Sequence, residues 1–137
     1  MITKKDLRDY RHYAANMQHL SDMIHTLDSQ MKSITSILDP NKVGSGTKPP
    51  DEWVVKFDEI HKLQKQYSIS LQKSSKLAMR IERALERCLD EREKRLMRLR
   101  YFRNCKWELI CVELNYEWAH VHRLHSTALK KLEQGRG

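Results

Sequence analysis

Little in these 137 residues would break a helix or staple a fold. There are three prolines and four glycines, and all the prolines with two of the glycines fall in one stretch, 39–50. With 32% charged residues in the chain, such scarcity of turn formers favours helices over sheets. Three cysteines, Cys88, Cys105 and Cys111, are odd in number and lack C-x-x-C spacing. That argues against a disulfide framework or structural zinc and for a reducing, cytoplasmic compartment. No run of about 18 apolar residues exists, so no membrane span or membrane partner is expected. The opening MITKKDLRDYRHY has neither an apolar core nor a cleavage site, so no secretory leader is expected. Paired carboxylates in a cleft, a nucleophile with its base and a Gly-rich phosphate loop are all lacking, which leaves no reading as an enzyme and no cofactor.

What is present is charge, unevenly spread. The net of +8 arises from five Lys/Arg against five Asp/Glu in 1–39, ten against six in 40–89, and eleven against seven in 90–137. The positive excess thus lies behind the first forty residues and suits a polyanionic partner, although solubility alone would also account for it.

From Thr3 to Leu38 one pattern continues: Tyr10, Tyr13, Met17, Leu20, Ile24, Leu27, Met31, Ile34, Leu38. Alternating gaps of three and four make a heptad seam, and Thr3 with Asp6 supplies a helix start. A helix over about 3–38 would be roughly 50 Å long and needs another long helix beside it. Asp39-Pro40 stops it, and 39–50 reads as a flexible connector. Asp51 and Glu52 favour a new start for a helix over about 51–88. Its seam is traced through Trp53, Phe57, Ile60, Gln64, Tyr67, Leu71, Ser74, Ala78, Ile81, Leu85 and Cys88, with Gln64, Ser74 and Ala78 interrupting it. The expected result is an antiparallel helical hairpin over 1–89, with Trp53 and Phe57 near Ile34 and Leu38. Its weak side leans towards recruiting a second copy as a homodimer.

Residues 90–137 form the expected second domain. Asp90 and Glu93 give a D-x-x-E start, and Leu96, Leu99 and Phe102 an apolar face. Trp107, Ile110, Cys111 and Leu114 line one side of a short helix. Asn115 suits a left-handed turn and Tyr116 closes it. Val121, Leu124, Ala128 and Leu132 then line a second helix starting near Glu117 or Trp118. Two short amphipathic helices on a tight turn, walled by a third, are a helix-turn-helix unit whose last helix is free to enter a DNA major groove.

The segments EREKRLMRLRYF, KWELICVEL and VHRLHSTALKKL resemble region 4 of bacterial sigma-70-type factors. Within that superfamily they look most like small phage late transcription regulators of the ArpU and RinA type. The resemblance rests on Arg100-Tyr101-Phe102, Trp107-Glu108, Ile110, Arg123-Leu124-His125 and Ala128 to Leu132, and covers about the last third of the chain. It implies an all-α fold in which a long hairpin or coiled coil precedes a region 4-like helix-turn-helix.

With Trp107, Ile110, Cys111, Leu114, Tyr116, Val121 and Leu124 as the core, Trp118, Ala119, His122, Arg123 and Ser126 are left on or beside the outward face. These coincide with base- and phosphate-contacting positions of the resembled family. A guanidinium at Arg123 can donate two bonds to guanine, or else bind phosphate. Trp118 would pack on a thymine methyl or shield the turn over Tyr116. Arg103, Lys106, Lys130 and Lys131 are the expected phosphate contacts, whereas Arg100 is expected to pair with Glu108 or Glu113. The family commonly starts this helix with Ser or Thr and basic residues; here stand Glu117, Trp118 and Ala119, so no target sequence carries over. His120, His122 and His125 cannot converge from one helix, so no metal site is expected.

The expected function is a sequence-specific, double-stranded DNA-binding transcription regulator, and the resemblance adds a phage-encoded activator of late genes working with RNA polymerase in the bacterial cytoplasm. Two alternatives stand beside it. One is a small terminase-like DNA-recognition subunit, which would form rings; the other is an interaction module that docks on polymerase without touching DNA. The chain has no part resembling the promoter-melting region of a complete sigma factor.

Overall fold

The structure, a computed structural model, describes residues 1–37 and 51–135, with side chains to Ser33 in the first stretch. The described residues are helical, with no strand among them: α1 Lys4–Ile37, α2 Asp51–Cys88, α3 Glu91–Met97, a π-helical turn Arg98–Phe102, α4 Trp107–Leu114 and α5 Trp118–Gln134. The connector 39–50, Leu38 and the expected packing of Trp53 and Phe57 on Ile34 and Leu38 lie outside the described residues.

The chain divides into two compact units, 15–72 and 1–14 with 73–137. This differs from the expected division at 89/90. The reason is where apolar side chains go: Leu7, Leu77, Ile81, Leu85 and Cys88 are buried in one cluster with Leu96, Met97, Ile110, Val121 and Leu132. Ile2, also buried there, donates its backbone N–H to the Leu132 carbonyl at 3.3 Å. The start of α1 is capped as its sequence suggests, with Asp6 Oδ2 accepting from Thr3 N (3.0 Å) and Thr3 Oγ1 accepting from Asp6 N (3.3 Å).

In the unit 15–72, α1 and α2 run antiparallel. Asn16 Nδ2 donates to Ser70 Oγ at 3.4 Å and Lys56 Nζ to Gln30 Oε1 at 3.1 Å. Both pairs fall on one antiparallel register, since each advance along α1 is matched by an equal retreat along α2. The seam of α1 is buried or half-buried as its spacing indicates, from Met17 through Leu20, Ile24 and Leu27 to Met31. The seam of α2 is corrected. Trp53, Lys56, Ile60, Leu63, Tyr67 and Ser70 face inward, while Phe57, Gln64 and Leu71 are exposed. The expected and observed lines share Trp53, Ile60 and Tyr67 and differ between them, where Lys56, Leu63 and Ser70 stand inside in place of Phe57, Gln64 and Leu71. Leu63 and Leu77, one residue before the apparent interruptions at Gln64 and Ala78, fill the gaps.

Candidate nucleic-acid interface

The last helices are fixed from both ends. Asp90 and Glu93 form a complete capping box: Asp90 Oδ1 accepts from Glu93 N at 2.9 Å, and Glu93 Oε1 from Asp90 N at 3.0 Å. The backbone bond to Glu93 holds the Asp90 carboxyl below its usual range. The helix that follows does not stay α-helical. At Arg98–Phe102 it widens, Arg103 N donating to Arg98 O (3.0 Å) and Cys105 N to Leu99 O (2.9 Å). The extra residue lets Leu99 and Tyr101 both be buried with Phe102 half-buried, where α-helical spacing would have turned one outward. Asn104 then takes a left-handed conformation (φ 54°) and its Oδ1 accepts two bonds from Arg11 of α1, at 2.8 and 3.0 Å.

The turn between α4 and α5 follows the sequence closely. Asn115 is left-handed (φ 56°), and Asn115 N and Tyr116 N donate to the carbonyls of Val112 and Cys111. Ile110, Val121, Leu124, Ala128 and Leu132 are buried, and Trp107, Cys111, Leu114 and Tyr116 are half-buried against them.

Of the five expected base-contacting residues, Ala119, Arg123 and Ser126 are exposed along α5, and Trp118 is 52% exposed at its start. His122 is half-buried. Its ring lies between Trp107 (4.6 Å) and Trp118 (4.4 Å), and Nε2 is buried without a hydrogen-bond partner. At 100° per residue His122 falls between the outward and inward faces, and two large indoles decide which it joins. Trp118 therefore rests on His122 rather than over Tyr116, which pairs instead with His120 at 4.2 Å.

The crowd of cations before α4 is largely neutralised. Lys94 reaches Glu86 (2.9 Å) and Glu91 (3.2 Å), and Arg98 pairs with Glu82 and with Glu86 (2.6 Å). Lys94 and Arg98 together hold the Glu86 carboxyl below its ordinary range. Arg95 donates to the Glu113 carbonyl. Arg100 pairs with neither Glu108 nor Glu113. It donates to the Cys105 carbonyl at 3.0 Å and lies over the Trp107 ring at 4.4 Å, where the indole face replaces a carboxylate. Lys131 is engaged within the fold: its Nζ donates at 2.8 Å to Glu93, which is 1% exposed, and so neutralises a buried carboxylate. Arg103, Lys106, Arg123 and Lys130 are exposed and make no ion pair among the described residues.

Two features escaped the sequence reading. His125 is buried, and its Nε2 shares a 2.8 Å hydrogen bond with Tyr101 Oη. Burial, and next the nearby His122, push its pKa down to about 4, so the imidazole is neutral. Burial raises the Tyr101 phenol. The second is Arg11, whose partner lies 93 residues away; neither was signalled by local spacing. Among the described residues no group of three or more His, Cys, Asp or Glu is placed to hold a metal, and no helix is long and apolar enough to cross a membrane.

No family model, curated protein or solved structure matches this chain.

Proposed function

We propose that this chain is a sequence-specific DNA-binding transcription regulator that reads the major groove with α5 in the manner of a sigma region 4-like helix-turn-helix. The observation that carries the reading is one line of α5: Ala119, Arg123, Ser126 and Lys130 are exposed at i, i+4, i+7 and i+11. A short aliphatic, a guanidinium, a hydroxyl and an ammonium on one helix line are the groups that meet thymine methyls, guanine edges and phosphates. The cations left unneutralised, Arg103, Lys106 and Lys130, supply backbone attachment. The resemblance of 91–132 to region 4 adds a phage late-gene activator working with RNA polymerase.

A second reading is favoured by one observation. On the outward side of α4, Leu109 and Val112 are exposed beside Glu108 and Glu113. An acidic, apolar helix face repels phosphates and suits a protein, so an interaction module docking on polymerase is the alternative.

Selection of bound fragments from source-genome DNA at near-physiological salt decides between them. The regulator recovers a sharp site, and Arg123→Ala blurs it, with a loss of about 1–3 kcal/mol on the preferred sequence alone. Unselective recovery, or none, overturns the first reading; an equal loss on every sequence makes Arg123 a phosphate contact. Lys106→Ala instead weakens all sequences alike and lowers the salt slope by about 1.

A further inference from the structure

Beside the inner seam of α2 runs a second line of residues, Val54, Phe57, His61, Gln64, Ser68 and Leu71, at gaps of three and four. It contains no Asp, Glu, Lys or Arg, although five such residues (Lys56, Asp58, Glu59, Lys62 and Lys65) occur elsewhere on the same turns. Val54 is 57% exposed, Phe57 57% and Leu71 44%. A solvated coiled-coil flank ordinarily carries its charges at such positions. Depletion of charge around large exposed apolar side chains is instead the composition of an interface core.

The spacing also states which partner fits. Phe57 and Leu71 lie seven residues on either side of Gln64. When two copies of α2 cross antiparallel about Gln64, Phe57 of each meets Leu71 of the other, and Gln64 meets its own counterpart. A glutamine amide has both donors and an acceptor, so two copies facing across a two-fold axis satisfy each other. From Val54 to Leu71 the line is about 26 Å long. Alone it is narrower than the roughly 800 Å² per partner of a standard interface. A groove of about 420 Å³ beside it, lined by Phe57, Ile60, His61 and Gln64 with Met31 and the Asp28–Lys32 ion pair of α1, widens the contact and gives it a charged rim.

We infer that this face of the unit 15–72 is a self-association surface, on which a second copy of the chain docks antiparallel with its two-fold axis at Gln64. The inference deepens the expectation of a homodimer by fixing its face and register, and it stands independently of DNA binding. The test is cysteine cross-linking without DNA. Gln64→Cys, which faces itself across the axis, forms a disulfide-linked dimer under mild oxidation; Lys62→Cys, on another side of the helix, and the parent chain do not. In sedimentation equilibrium at tens of micromolar the parent chain has twice the chain mass. Phe57→Glu with Leu71→Glu, both exposed, has the mass of a single chain with unchanged helicity. A monomeric parent chain, a charged variant that stays dimeric, or equal cross-linking at positions 62 and 64 overturns the inference. A monomeric parent leaves the face to a different protein, and a dimer insensitive to these residues uses another surface.

Discussion

His125 ties acidity to stability. Its ordinary pKa is 6.5 and the folded protein holds it near 4, so the unfolded chain binds a proton the folded one refuses between those values. Stability from the neutral ring is fully present above about pH 6.5 and is lost as pH falls towards 4, by roughly 3 kcal/mol. Urea midpoints across that window should fall steeply for the parent chain and less steeply for His125→Gln. Lys131 and Lys130, neighbours in sequence, should separate in experiment. Lys131→Met removes a donor from buried Glu93 and should cost about 2 kcal/mol. Lys130→Met should change stability by no more than about 0.5 kcal/mol and, on the proposed reading, reduce the salt dependence of DNA binding. Sequence spacing could not tell these two lysines apart, because the distinction depends on Glu93, 38 residues earlier in the chain. The half-burial of His122 is not legible for a related reason: periodicity gives the angle around a helix, but Trp107 reaches it from another helix.

Helix limits were the most legible feature of the chain. Caps at Thr3 and Asp90, the acidic first turn at Asp51 and Glu52, and the left-handed Asn115 mark starts and a turn through local hydrogen bonding, charge and backbone sterics, which short windows of sequence contain. A β-branched residue at Asn115 meets the left-handed penalty, so Asn115→Val should destabilise by about 1–2 kcal/mol while Asn115→Gly changes little, as read by urea unfolding. The half-legible element is α2. Two tracings of its seam share alternate residues, and only the register against α1, set by bonds such as Lys56 to Gln30, selects between them. The π-helical turn was not legible at all. Its extra residue is accommodated because Leu99, Tyr101 and Phe102 each find apolar neighbours on other helices.

For the chain as a whole, the instructive difference is where its compact units fall. The expected unit 90–137 contains the capped α3, α4 and α5, but much of the cluster they pack on comes from Ile2, Leu7, Ile81, Leu85 and Cys88. A fragment of 90–137 should therefore show weak helicity and no cooperative thermal transition by circular dichroism. In the full chain Leu7→Ala, at a position fully shielded from solvent, should cost about 3 kcal/mol, although it lies in the first helix. The hydrogen bond from Ile2 to Leu132 carries this interdependence into biosynthesis. At about 5–20 residues per second, on the order of 6–26 s separates translation of those two residues. Throughout that interval the native cover of the amphipathic segment around Leu7 stays incomplete: Leu77, Ile81 and Leu85 emerge first, and Ile110, Val121 and Leu132 close it only at the end.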